Sequence, residues 1–89
     1  MLHRSLYLLS RTDVNNHDTY ASAVVAAWTE EEARNMHPDG TIYDAANPAC
    51  WTEGYPDWVG NPSHVVVTFI GIAGAGVKCG VINASFEAA

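Results

Sequence analysis

Two apolar stretches separated by a polar interval open the chain. In Leu2 to Leu9, Leu6 and Leu8 fall on one face of an extended strand and Tyr7 and Leu9 on the other. Apolar residues on both faces are the pattern of a central strand covered on both sides. Ser10 to Thr19 collects Asp13, Asn15, Asn16, His17 and Asp18, a turn-forming composition that predicts a loop. Tyr20 to Trp28 returns to an apolar run centred on Val24 and Val25, short enough to be a second buried strand.

The period then changes. Thr29-Glu30-Glu31-Glu32 has the form of a capping box, in which the Thr29 hydroxyl accepts from the first turn and Glu32 reaches back to the Thr29 N–H. Three carboxylates in the first turn suit the positive end of the helix dipole, and Glu30 stands four residues before Arg34. Ala33 and Met36 give a narrow apolar stripe, and Pro38-Asp39-Gly40 ends the helix after about two turns. So short a helix must be held by packing on a sheet.

Thr41 to Ser63 is rich in Pro, Gly, Asn and Asp and carries Trp51, Tyr55 and Trp58, which predicts a long loop pinned by aromatic anchors. His64 to Ile72 is strongly β-branched, and Gly80 to Phe86 alternates between two sets of side chains. These two segments are expected to pair as an antiparallel hairpin joined through Gly74 to Cys79. The fold class that follows is α+β: a small, mostly antiparallel β-sheet in the order β-β-α-β-β with one short helix packed on it. At 89 residues, one domain spanning 1–89 and one core are expected.

Composition narrows the function classes. Ten carboxylates oppose Arg4, Arg11, Arg34 and Lys78, a formal charge of −6, and no basic cluster exists to bind phosphates. Direct nucleic-acid and membrane contacts are therefore not expected. A negative surface steers a chain toward basic partners. The apolar run at the start is too short for a signal peptide, and no other run suffices for a membrane helix, so a cytoplasmic location with Cys50 and Cys79 as reduced thiols is expected.

Several patterns that resemble sites have simpler explanations. His37-Pro38-Asp39 copies a cochaperone tripeptide but follows one short helix and reads as a helix stop and turn. Gly71-Ile72-Ala73-Gly74-Ala75-Gly76 is followed by a strand, so it lacks the helix N-terminus that a phosphate cradle needs. The four histidines and two cysteines show no close metal-ligand spacing, and neither metal nor any other cofactor is expected. Asp18, Asp44, Glu53 and Asp57 could serve acid–base chemistry only by converging with His17 or His64 in space, and no catalytic residues are assigned. The candidate contact surface is the aromatic loop and its carboxylates: Trp51, Tyr55, Trp58, Asp44, Glu53 and Asp57.

Four blocks carry a family resemblance: Leu6 to Asp13, Tyr20 with Ser22 to Ala27, Glu31 to Arg34 with His37 to Gly40, and Gly80 to Phe86. In these blocks the chain resembles a family of uncharacterised small proteins encoded by bacteriophages and prophages. The likeness does not extend to Thr41 to Ser63, and it carries no activity, cofactor or site residue onto any position. It implies a viral gene expressed in a bacterial cytoplasm. The function expected on these grounds is stoichiometric binding of a host protein or complex with a basic surface, as by an inhibitor of a host defence system of the anti-CRISPR or anti-restriction type. The alternative is a minor virion or assembly component. The chain is expected to be no enzyme, and to be a monomer or homodimer.

Overall fold

The computed structural model of the chain describes residues 3–12, 19–52 and 57–87. Its elements are β1 (Ser5–Arg11), β2 (Thr19–Ala27), α1 (Glu30–Arg34), β3 (Val65–Ile72) and β4 (Gly80–Glu87), with 3₁₀ turns at Pro48–Trp51 and Pro62–His64. The four strands form one antiparallel sheet in the spatial order β3-β1-β2-β4. The apolar runs of β1 and β2 thus occupy the two central places, as the burial of their side chains requires.

This order corrects the expected hairpin between the last two strands, because β3 and β4 lie on opposite edges of the sheet. β3 ends opposite Ser5 and β4 begins opposite Ala26, so residues 73–79 run past the Ser5 and Ala27 ends of both central strands. Three strand spacings are about 14 Å, well within the reach of seven residues. Arg4 holds this crossover along its length. Its carbonyl accepts from the Ala73 N–H at 2.8 Å, its Nη1 donates to the Val77 carbonyl at 2.9 Å, and its Nε donates to the Cys79 Sγ at 3.0 Å. The guanidinium also lies 4.5 Å from the centre of the Trp28 ring. Gly80 enters β4 at φ 141°, a conformation open to glycine and strained for other residues. Arg4→Ala removes all the side-chain tethers at once and is expected to cost about 1–2 kcal/mol, read as a lower urea midpoint with an unchanged slope.

The α1 helix begins as its cap predicts, with the Thr29 Oγ1 accepting from the Glu32 N–H at 3.1 Å. The reciprocal bond differs from expectation: the Glu32 Oε1 accepts from the N–H of Trp28 at 3.0 Å. Arg34 meets Glu30 at 3.0 Å. The helix is shorter than expected because the chain turns early. Met36 bridges Ile42, the His37 N–H pairs with the Thr41 carbonyl, and Gly40, at φ 99°, closes the turn on the His37 carbonyl. This is the turn that His37-Pro38-Asp39 predicts.

Register places directly paired residues on a common face, and the two faces of the sheet differ. One face carries Tyr7 and Leu9 of β1, Ala23, Val25 and Ala27 of β2, and Val65 of β3. Ala33 and Met36 from the helix region and Trp51, Trp58 and Val59 from the following segment cover it, completing the core. The opposite face shows three cross-strand rows, read from β3 to β4: Val66, Ser10, Ser22, Ser85; Thr68, Leu8, Val24, Asn83; and Gly71, Leu6, Ala26, Gly80. No position in these rows is charged; Leu6, Leu8 and Val24 are half-buried and Ala26 is fully buried. The central strands, expected to be covered on both sides, are packed by the helix and the aromatic segment on one, among the described residues.

Candidate functional site

The long segment between α1 and β3 owes its order to its aromatic residues. Trp51 and Trp58 are each 3% exposed and belong to the core. Tyr43 packs edge-on against Trp51 at 5.2 Å between ring centres, and the Arg11 guanidinium lies 5.6 Å from the Trp58 ring. The Tyr20 N–H donates to the Asp57 carbonyl at 2.8 Å, fastening the segment to β2.

At the middle of this packing stands His37, whose side chain is 4% exposed. Trp51, Trp58 and Tyr20 meet its ring edge-on at centre distances of 5.7, 6.4 and 5.8 Å. Its Nδ1 accepts from the Asp39 N–H at 3.0 Å, which leaves Nε2–H to donate to the Asp57 Oδ1 at 3.1 Å in the neutral ring. In the protonated ring, Nδ1–H meets the Asp39 Oδ1, also 3.0 Å away. Both nitrogens are therefore engaged in either state, and the imidazole has no free lone pair for a substrate. It ties the turn after α1 to the segment that enters β3. The indole Nε1 atoms of Trp51 and Trp58 are buried without a hydrogen-bond partner.

The neighbouring groups respond to this environment. Partial burial works against the Asp39 charge, but hydrogen bonds from the Thr41 N–H and hydroxyl, together with nearby His37, outweigh it and hold the carboxyl below its usual range. Burial, with the charges of Asp57 and Asp39, pushes the Tyr20 hydroxyl up. Because Asp39 gives up its proton more readily when folded, its contribution to stability is complete above the ordinary carboxylate range. On acidification the unfolded chain takes up the proton first, and the contribution disappears as pH falls toward the folded value. Urea midpoints measured from pH 7 down to about 3 should therefore fall less steeply in Asp39→Asn than in the parent chain.

The proposed contact residues that are described separate into three groups. Trp51 and Trp58 are anchors of the core and present no outer surface as folded. Asp57 is half-buried and committed to His37. Asp44 is exposed, its Oδ1 accepting from the Ala46 N–H at 2.9 Å in a local turn. Glu53 and Tyr55 lie outside the described residues, as do Asp13, His17 and Asp18. The burial of His37 was missed in the sequence, where no spacing links it to Asp57 or to the tryptophans; only two tryptophans in need of a core pointed toward it.

Among the described side chains, the exposed carboxylates gather on the layer that covers the sheet. Glu30 and Glu31 of α1 are 60% and 77% exposed, and Glu32, Asp39 and Asp44 are exposed on the same helix and the segment after it. Arg34 partly offsets them, yet its guanidinium is spent on Glu30 and on the Val65 carbonyl. It lines an open cleft of about 430 Å³ with Glu31, Asn35, Tyr43, Asn61 and Ser63.

The remaining candidates have structural places. Gly71 and Ile72 are the last residues of β3, and Ala73 to Gly76 begin the crossover, so no helix follows the glycines. Cys50 and Cys79 are free thiols, the latter between Arg4 and Glu32. Among the described residues no group of three or more His, Cys, Asp or Glu side chains is placed to hold a metal ion, and no helix is long and apolar enough to cross a membrane. Compared with protein-family models, with curated proteins and with solved structures, the chain matches none.

Proposed function

We propose that this chain is a phage-encoded accessory protein that acts in the host cytoplasm by stoichiometric binding, covering a basic surface of a host protein. A nucleic-acid channel of a defence complex is the kind of surface that fits. The carrying observation is the segregation of charge: Glu30, Glu31, Glu32, Asp39 and Asp44 are exposed on the layer over the sheet, whereas the rows on the open face have no charge at all. A one-sided negative layer orients the molecule during encounter and raises its association rate with a positive surface. The imidazole sealed by Asp39 and Asp57 supplies no competing catalytic geometry. The phage origin rests on the family resemblance of the framework segments.

Affinity capture from infected host cells tests this function. A basic host protein should be recovered at about one copy per chain, and the triple change Glu30→Gln, Glu31→Gln, Asp44→Asn should weaken its binding at least about tenfold. Recovery of no host protein, or binding indifferent to the triple change, would count against it. A second role, as a minor virion or assembly component, is favoured by β3, an edge strand with neither proline nor charge and with Phe69, Ile70 and Ile72 exposed. Mass spectrometry of purified particles separates the roles, because a virion component accompanies every particle.

A further inference from the structure

Among the described residues, the helix and the aromatic segment pack on one face of the sheet, although its central strands are apolar on both. Leu6 and Leu8 of β1 and Val24 and Ala26 of β2 form adjacent pairs at the middle of the second face; Ala26 is fully buried, and the half-buried Leu6, Leu8 and Val24 carry the apolar surface, in strands whose other face already fills the core. A strand exposed to water on one side ordinarily alternates apolar with polar or charged residues. The outer ends of the same rows carry only small or uncharged residues: Val66, Thr68 and Gly71 on β3, and Ser85, Asn83 and Gly80 on β4. This face has the pattern of a surface that lies against another sheet.

We propose that the open face stacks on the same face of a second copy of this chain, giving a two-layer sandwich of two four-stranded sheets. Three observations select a second copy. Its face is uncharged and so meets the first without leaving a buried charge unpaired. Face-to-face stacking puts the two acidic layers on opposite outer sides of the dimer. With sheets about 10 Å apart and a helix layer outside each, those layers are separated by more than the Debye length of about 8 Å at physiological salt. Pairing of two β3 edges would instead bring both acidic helices onto one side, since α1 packs against β3. Four strands of this length present roughly 500 Å² per copy, about a tenth of the 5130 Å² surface of the chain, which is near the lower limit for a specific interface and implies a weak dimer.

The proposal is independent of the partner on the acidic layer, which the sandwich leaves exposed on both sides. Sedimentation equilibrium from about 1 to 500 µM should show reversible dimerisation with micromolar affinity. Thr68→Lys on β3 and Asn83→Lys on β4 test the mode. Both sites are exposed and on opposite edges of the open face, and each change should weaken the dimer at least about tenfold while leaving the circular dichroism spectrum and thermal midpoint in place. A chain that remains monomeric at the highest concentration overturns the proposal, including the case in which a foreign protein occupies this face. A dimer weakened by Thr68→Lys but not by Asn83→Lys also overturns it, because that result assigns the contact to the β3 edge. Capture experiments on the triple carboxylate variant read the acidic layer separately and leave this dimer unchanged.

Discussion

Trp58→Ala is expected to lower the stability of the chain by about 3–5 kcal/mol, the cost of emptying a large aromatic site in a closed core. Trp58 is 3% exposed, touches the His37 ring edge-on and underlies the Arg11 guanidinium. Its loss opens a cavity in the core cluster it shares with Leu9, Val25 and Val59. A domain of this size has a total stability of roughly 4–13 kcal/mol, so the change removes about a quarter of it or more. Urea denaturation followed by far-ultraviolet circular dichroism reads the effect. A contact residue on the surface would behave in the opposite way, weakening partner binding while leaving the denaturation midpoint within about 0.5 kcal/mol of the parent.

Replacement of His37 by alanine should be nearly as damaging, at about 2–4 kcal/mol. The imidazole links Asp39 on the turn after α1 to Asp57 on the segment entering β3, and without it the two carboxylates face a void lined by Trp51, Trp58 and Tyr20. His37→Gln, which keeps a donor and an acceptor in part of the same space, should recover some of the loss. Asp57→Asn keeps a partner for Nε2 and, at a half-buried site, should cost less than either. Comparing the denaturation midpoints of the three variants tests the order. A His37→Ala chain as stable as the parent would show that the segment from Thr41 to Ser63 is held by other contacts.

The sequence showed those elements whose signals are local. The capping box at Thr29, the Glu30–Arg34 pair and the turn at Pro38-Asp39-Gly40 each need only neighbours within one or two turns, and each formed close to its predicted place. The anchoring role of Trp51 and Trp58 was also legible, since large aromatic side chains in a polar loop need a core to enter. What was not legible is non-local. The glycines of residues 71–76 suit a hairpin as well as a crossover, and the contacts that hold the crossover come from Arg4, some seventy positions earlier, reaching Val77 and Cys79. The environment of His37 likewise depends on Asp57, twenty residues away, with no periodicity to connect them. The acidic layer became visible only when register showed that the carboxylates and the open rows lie on different sides of the sheet.

One titration tests that separation without knowledge of any partner. A lysine-rich peptide added to the ¹⁵N-labelled chain at low salt should shift the amide resonances of Glu30 to Arg34, Asp39 and Asp44. Those of Leu6, Leu8, Val24 and Thr68 should stay in place, and the shifts should vanish as the Debye length shortens toward about 3 Å near 1 M salt. Equal shifts on both faces of the sheet, or shifts confined to the open rows, would contradict the one-sided distribution of charge.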